Sequence, residues 1–171
     1  MILINKYLES PTYIRNIVFG VEDSLVSTVG LLSGIAVAGV SNRNIVLTGI
    51  VLIFVEGFSM GVGSLLSQHS VEQLEQKGEA EIKTSAGGAI AMFLSYFIAG
   101  FIPLLPYVFS SGQGAFWASI IASLAGLFLL GCFSAKLLKI NTLRHGAKML
   151  FFGGLAVILG VVVGSVVERY K

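Results

Sequence analysis

The chain has 171 residues and a net charge of +2; 55% of its residues are hydrophobic and 12% charged, and its mean hydropathy is +0.89. A soluble domain carries about 25% charged residues, so this composition points to an integral membrane protein with no sizeable soluble part. The small net charge, with no basic–aromatic patch, argues against nucleic-acid binding, and a single cysteine, Cys132, excludes a disulfide framework within the chain.

At about 20 residues per crossing there is room for roughly five transmembrane helices in one domain. Residues 1–14 read as a short interfacial segment, with Ile2, Leu3, Ile4, Tyr7 and Leu8 apolar around Lys6 and Glu9. They lack a long apolar core followed by a cleavage site, so no removable signal peptide is expected. Ser10-Pro11 opens the next helix.

The first crossing is expected over about 15–39. It carries two adjacent acids, Glu22 and Asp23. A charge at membrane depth costs about 2.5–3.5 kcal/mol on insertion scales, which makes such an acid a functional candidate. Asp23, Ser27, Gly30, Gly34 and Ala38 recur at helical spacing, so the acid heads a stripe of small residues containing a GxxxG. Such a stripe is either plain packing or a helix–helix contact along a cation pathway. The expected partner for Ser27, Gly30, Gly34 and Ala38 is the same helix of a second copy.

After a turn at 39–44, a second crossing is expected over about 45–66, with Glu56 and Met60 one helical turn apart. Residues 67–84 form the only extended polar stretch. They read as a connector between crossings, or as a loose acidic collar carrying Glu72, Glu75 and Glu79 at spacings of three and four. The third crossing, about 86–108, ends in Pro103 and Pro106, which suggests a helix broken near the interface. The fourth, about 115–135, begins near Trp117, an interfacial anchor. A basic loop, 136–148, precedes the fifth, about 149–167.

Five crossings put the two ends of the chain on opposite sides. One side collects Lys6, Arg15, Lys77, Lys83, Lys136, Lys139, Arg144 and Lys148; the other has Arg43, Arg169 and Lys171. The excess of positive charge places the N-terminus and the connector in the cytoplasm. Asp23, Glu56 and Met60 then share the cytoplasmic half of the membrane. Carboxylates alone suit magnesium, calcium or manganese; an added thioether shifts the preference toward iron(II). Met60 can equally be core filler, and Glu56 can be hydrogen-bonded to a neighbouring helix. No nucleophile–base arrangement and no phosphate loop is visible, so an enzyme is not expected.

The segments Phe19-Gly20-Val21-Glu22-Asp23-Ser24, Ser59-Met60-Gly61-Val62-Gly63, Ile102-Pro103-Leu104-Leu105-Pro106-Tyr107 and Gly153-Gly154-Leu155-Ala156 resemble the vacuolar iron transporter family, in order and over nearly the whole chain. The resemblance implies an all-α protomer of five transmembrane helices, N-terminus cytoplasmic, working as a homodimer. Its first helices would line a path on which iron(II) or manganese(II) is exchanged for protons. Asp23 and Met60 fall on the family's aspartate and methionine, and Glu56 joins them as a candidate ligand. Glu22, Glu72, Glu75, Glu79 and Glu81 are possible accessory acids for metal capture.

The chain departs from the family where Ser24 follows the aspartate in place of Gly. It departs again where Gly63-Ser64-Leu65 replaces a Gly-Glu-Tyr, and in having only residues 67–84 where the family places cytoplasmic metal-binding helices. The alternative is a membrane subunit, or a transporter of another cation, without metal capture. The location is an integral multi-pass protein of the cytoplasmic membrane in a prokaryote or of an organelle membrane in a eukaryote.

Overall fold

The computed structural model describes residues 11–76 and 82–170. They form five α-helices: α1, Pro11–Val37; α2, Asn42–Gln76; α3, Ile82–Phe109; α4, Gly112–Leu137; α5, Thr142–Glu168. All five are long and apolar enough to cross a membrane, and the protein is an integral, multi-pass membrane protein. We call the end of the bundle where α1 begins and α2 finishes proximal, and the other end distal.

Local chemistry fixes several boundaries. Pro11 occupies the first position of α1, where a missing N–H costs nothing and the fixed φ suits a helix. At the other end Gly39 has φ +73°, and Val40 N–H donates to Ile35 O at 3.2 Å. This is a left-handed C-cap that satisfies a carbonyl the helix itself leaves over. Lys139 plays the same part after α4 with φ 55°, and Ile140 N–H donates to Ala135 O at 3.0 Å. The Asn141 side chain then accepts from Arg144 N–H at 3.0 Å and caps α5. The basic loop is therefore shorter than expected, and Arg144, His145 and Lys148 belong to the first turns of α5.

Two further expectations change. The second crossing does not stop near residue 66 but continues as helix through Gln76, taking in half of the polar connector. At 1.5 Å per residue α2 is about 52 Å long, so it overhangs a 30 Å hydrocarbon core by about 20 Å. The third crossing is not broken at its prolines. Both lie inside α3, which runs on to Phe109. Ser119 Oγ on α4 donates to Pro103 O at 2.7 Å and ties α4 to this stretch, while Ser110 Oγ, just past the helix, donates back to Pro106 O at 2.9 Å.

The helix α1 packs against each of the other four, while α2–α3, α3–α4 and α4–α5 pack as consecutive pairs. Half of the apolar stretch of α1 is buried inside the protein, against 17% for α5. Small residues let α1 take this central place. Gly20 faces Met92 and Ser95 of α3, and Leu25 lies against Gly126 of α4. Gly30 and Gly34 face Ala156 and Gly160 of α5: a Cβ on Gly34 would lie 2.6 Å from Gly160 O, and one on Gly30 3.2 Å from Ala156 O. In return, a Cβ on Gly160 or Gly164 would collide with the carbonyl oxygens of Gly30 and Gly34. The close approach expected between two copies is thus made inside one chain, and Gly30 and Gly34 are buried there.

Candidate metal path and its surroundings

Glu22 and Asp23 are neighbours in sequence, so a helix turns them about 100° apart. Asp23 comes within Coulombic range of Glu56 on α2, and both act on the hydroxyl of Tyr96 on α3. Glu22 turns the other way, toward His145 at the start of α5, in a groove of about 460 Å³ walled by Arg15, Phe19 and Leu138. Both acids are half-buried. Asp23 is therefore turned toward Glu56, and Glu22 away from it.

Met60, one turn further along α2 than Glu56, lines a groove of about 590 Å³ together with Asn16, Phe19, Ser64, Ser67 and Met92. On α1, Asn16, Phe19 and Asp23 are spaced three and four apart; on α2, Glu56, Met60 and Gly63 are spaced four and three apart. The groove and the carboxylate pair thus lie in line along facing helix surfaces. Counting 1.5 Å per residue from Asn42, Glu56 lies about 21 Å in, Met60 about 27 Å and Gln68 about 39 Å. The order from the proximal end is Gln68, then Met60, then the carboxylates. Phe19, on the groove wall, is 47% exposed, so this side of α1 is uncovered within one chain.

Two residues on α3 escaped the sequence reading. Tyr96 is fully buried; its hydroxyl pairs with Ser27 Oγ at 2.8 Å, and its carbonyl accepts from Ser24 Oγ at 2.7 Å. Met92, 5% exposed, adds a second thioether to the groove that holds Met60. The signal was the run Gly88, Met92, Tyr96, Gly100, each four residues after the last. It forms one stripe, and Gly88, Met92, Tyr96 and Gly100 all meet α1 residues along it. Ser24, the residue that departs from the family's Gly, uses its hydroxyl in that contact.

The accessory acids do not form a collar among the described residues. Glu72 accepts from Gln68 Nε2 at 3.2 Å and from Ser85 Oγ at 2.8 Å, tying α2 to α3. Glu75 is exposed, and Glu79 and Glu81 lie outside the described residues. Among the described residues no three His, Cys, Asp or Glu side chains gather as a metal-holding group.

The chain is similar in sequence to several known proteins. "Vacuolar iron transporter homolog 2" of Oryza sativa subsp. japonica is 28% identical over 163 residues, covering 86% of each chain. "Vacuolar iron transporter homolog 4" of Arabidopsis thaliana is 27% identical over 164 residues, 90% of this chain and 83% of that one. "Vacuolar iron transporter 1" of Arabidopsis thaliana is 22% identical over 224 residues, 96% of this chain and 90% of that one. That alignment is longer than the 171 residues of this chain, so the relative carries a stretch that this chain lacks. A family model described as the VIT family matches residues 14–86 and 76–165, and on that match the chain belongs to the VIT family.

Proposed function

We propose that this protein transports divalent transition-metal ions, iron(II) and manganese(II), across its membrane in exchange for protons. The observation that carries the reading is the meeting of Asp23 from α1 with Glu56 from α2, beside Tyr96 and in line with Met60 and Met92. Two carboxylates neutralise a divalent charge, and the two thioethers favour the softer iron(II). The carboxylates must shed protons to hold the ion, so metal and protons move against each other. No bond in the cargo is made or broken, and the protein is not an enzyme in this reading. Its relatives' names, as iron transporter homologs, point the same way.

The excess of basic residues at the proximal end puts that end in the cytoplasm. One chain supplies few donors, and the face of α1 around Phe19 and Asp23 is uncovered. A second copy applied there would double the donor set and close the path, so the working unit is a homodimer joined along this face. Because Gly30 and Gly34 are occupied by α5, the contact between copies lies nearer the proximal end than the small-residue stripe suggested. A second reading, transport of another cation without metal capture, is favoured by Glu72, which is engaged with Gln68 and Ser85.

The test is uptake by the reconstituted protein in sealed liposomes, with iron(II), manganese(II) and magnesium(II) in competition. Saturable iron(II) uptake, inhibited by manganese and lost in Asp23→Asn, is the expected result. Uptake of magnesium alone would select the second reading, and no uptake of any ion would end both.

A further inference from the structure

The groove that holds Glu22 and His145 takes no part in the metal path, yet its chemistry is graded along its length. Ile14 and Val18 of α1, and Leu138 just after α4, give it apolar walls, while Arg15 and His145 are polar groups near its proximal end. The helices α1 and α5 have 27 residues each. Each is therefore about 40 Å long and, centred on a hydrocarbon core of about 30 Å, leaves about 5 Å at either end. Arg15 lies about 6 Å along α1 from Pro11, and His145 about 4.5 Å along α5 from Thr142. Both thus fall at the boundary where lipid headgroups begin. Glu22, the one acid on the groove wall, lies about 10 Å deeper than Arg15.

The turn between α4 and α5 carries the same signature. Lys136, Lys139, Arg144 and Lys148 are exposed. So are the large apolar side chains of Leu137, Leu138, Ile140 and Leu143 between them. Basic and apolar groups interleaved in this way suit the interface of an anionic leaflet, where apolar groups enter the acyl boundary and cations meet phosphates. Lys148 follows His145 by three residues and shares its face of α5.

Arg15 also lines the metal groove, with Asn16 and Met60, and it is the only charged residue on that groove's wall. A fixed positive charge beside the entry slows an approaching cation. One side chain therefore borders both grooves, and its charge is unfavourable in one of them and useful in the other.

We propose that the groove between α1 and the α4–α5 turn binds an anionic phospholipid of the proximal leaflet, and that the bound lipid speeds metal entry by neutralising Arg15. The lipid phosphate sits at Arg15 and His145, with Lys148 and Arg144 adding positive charge, and an acyl chain follows Val18 and Leu138 inward. A free phosphate ion shares the headgroup chemistry but gains nothing from the apolar walls. A zwitterionic lipid fits the walls but brings no net charge to the basic rim. As an activator the lipid rests on the transport reading; as a ligand it is tested separately.

Binding is read by native mass spectrometry of the purified full chain in detergent, titrated in turn with dioctanoyl phosphatidylglycerol, dioctanoyl phosphatidylcholine and inorganic phosphate. One saturable phosphatidylglycerol is expected, with phosphatidylcholine at least about tenfold weaker and phosphate unable to compete. Arg15→Gln with His145→Gln should weaken binding at least about tenfold, the effect of losing two basic contacts at a charged interface. Arg43→Gln, at the distal end, should bind as wild type. Equal binding of phosphatidylcholine, competition by phosphate, or wild-type binding in the monodisperse double variant overturns the site. Manganese(II) uptake is then measured in phosphatidylcholine liposomes with rising phosphatidylglycerol. Wild-type uptake should rise. Arg15→Gln should already be faster than wild type in phosphatidylcholine alone, a gain that misfolding cannot mimic, and should respond less to phosphatidylglycerol. A charged bilayer gathers cations for both proteins alike, so the ratio of variant to wild type is the readout. A variant no faster than wild type in phosphatidylcholine overturns the activation. Uptake without lipid binding sinks the lipid site alone, whereas lipid binding without uptake of any ion sinks the transport reading alone.

Discussion

Asp23 on α1 and Glu56 on α2 come within Coulombic range of each other, and both act on the hydroxyl of the buried Tyr96 on α3. Two like charges facing each other in a membrane are unfavourable unless a cation or a proton joins them. Asp23→Asn should therefore lower metal uptake by more than about tenfold, the least that loss of an outer partner of a metal ligand costs. Insertion and folding should be unimpaired or improved. Uptake at the wild-type rate in the purified variant would remove Asp23 from the path.

Met60→Leu keeps volume and apolarity and removes the soft donor, at a stability cost below about 1.5 kcal/mol. Iron(II) uptake should fall more than manganese(II) uptake, because manganese relies on oxygen ligands. Met92 lines the same groove, so Met60→Leu with Met92→Leu should flatten the iron-to-manganese ratio further. A ratio unchanged in the double variant would return both methionines to packing.

Tyr96→Phe removes one hydroxyl and its bond to Ser27. Stability should drop by about 0.5–1.5 kcal/mol, the net worth of a typical hydrogen bond. If the hydroxyl also orients the carboxylate pair, uptake should fall more than fraction folded does. Comparing transport per folded molecule, from a thermal-melt assay and the liposome assay on one preparation, decides between the two roles.

Gly34 and Gly160 give a direct reading of which contact the small residues serve. Gly34→Leu forces α1 and α5 apart within one chain, so the protomer itself should lose stability, by at least about 1–3 kcal/mol. Single cysteines placed at Phe19 should cross-link two copies, whereas cysteines at Gly34 should not. Cross-linking centred on Gly34 would reverse the assignment of faces.

Metal must displace protons from the carboxylates that hold it, so uptake should fall as pH drops on the loading side. A pH-sensitive dye on the far side should report protons moving against the metal. Metal flux with no opposing proton movement would describe a channel or uniporter.

What the sequence by itself determined was set by composition and by short-range periodicity. Five apolar runs long enough to span a bilayer fix the number of helices, since an unpaired backbone in hydrocarbon leaves few alternatives to a helix. The intramembrane acids stood out because ionisable residues are rare at that depth, and Met60 because it lies one helical turn from Glu56. The extension of α2 to Gln76 and the unbroken α3 were not legible, because the Ser85–Glu72 bond that ties α2 to α3 acts between helices, and prolines mark a place where a helix can break without deciding that it does. Nor did the chain reveal the partner of the Gly30–Gly34 stripe. Small-residue spacing states only that a helix can approach closely, and α5, at the far end of the sequence, supplied Ala156 and Gly160 before any second copy could. Tertiary structure alone decided that Asp23 meets Glu56 while Glu22 turns to His145. It also decided that Asn16 Oδ1 and Gln68 Oε1 are left buried and unpaired, because an orphaned acceptor is defined by what surrounds it and not by its residue type.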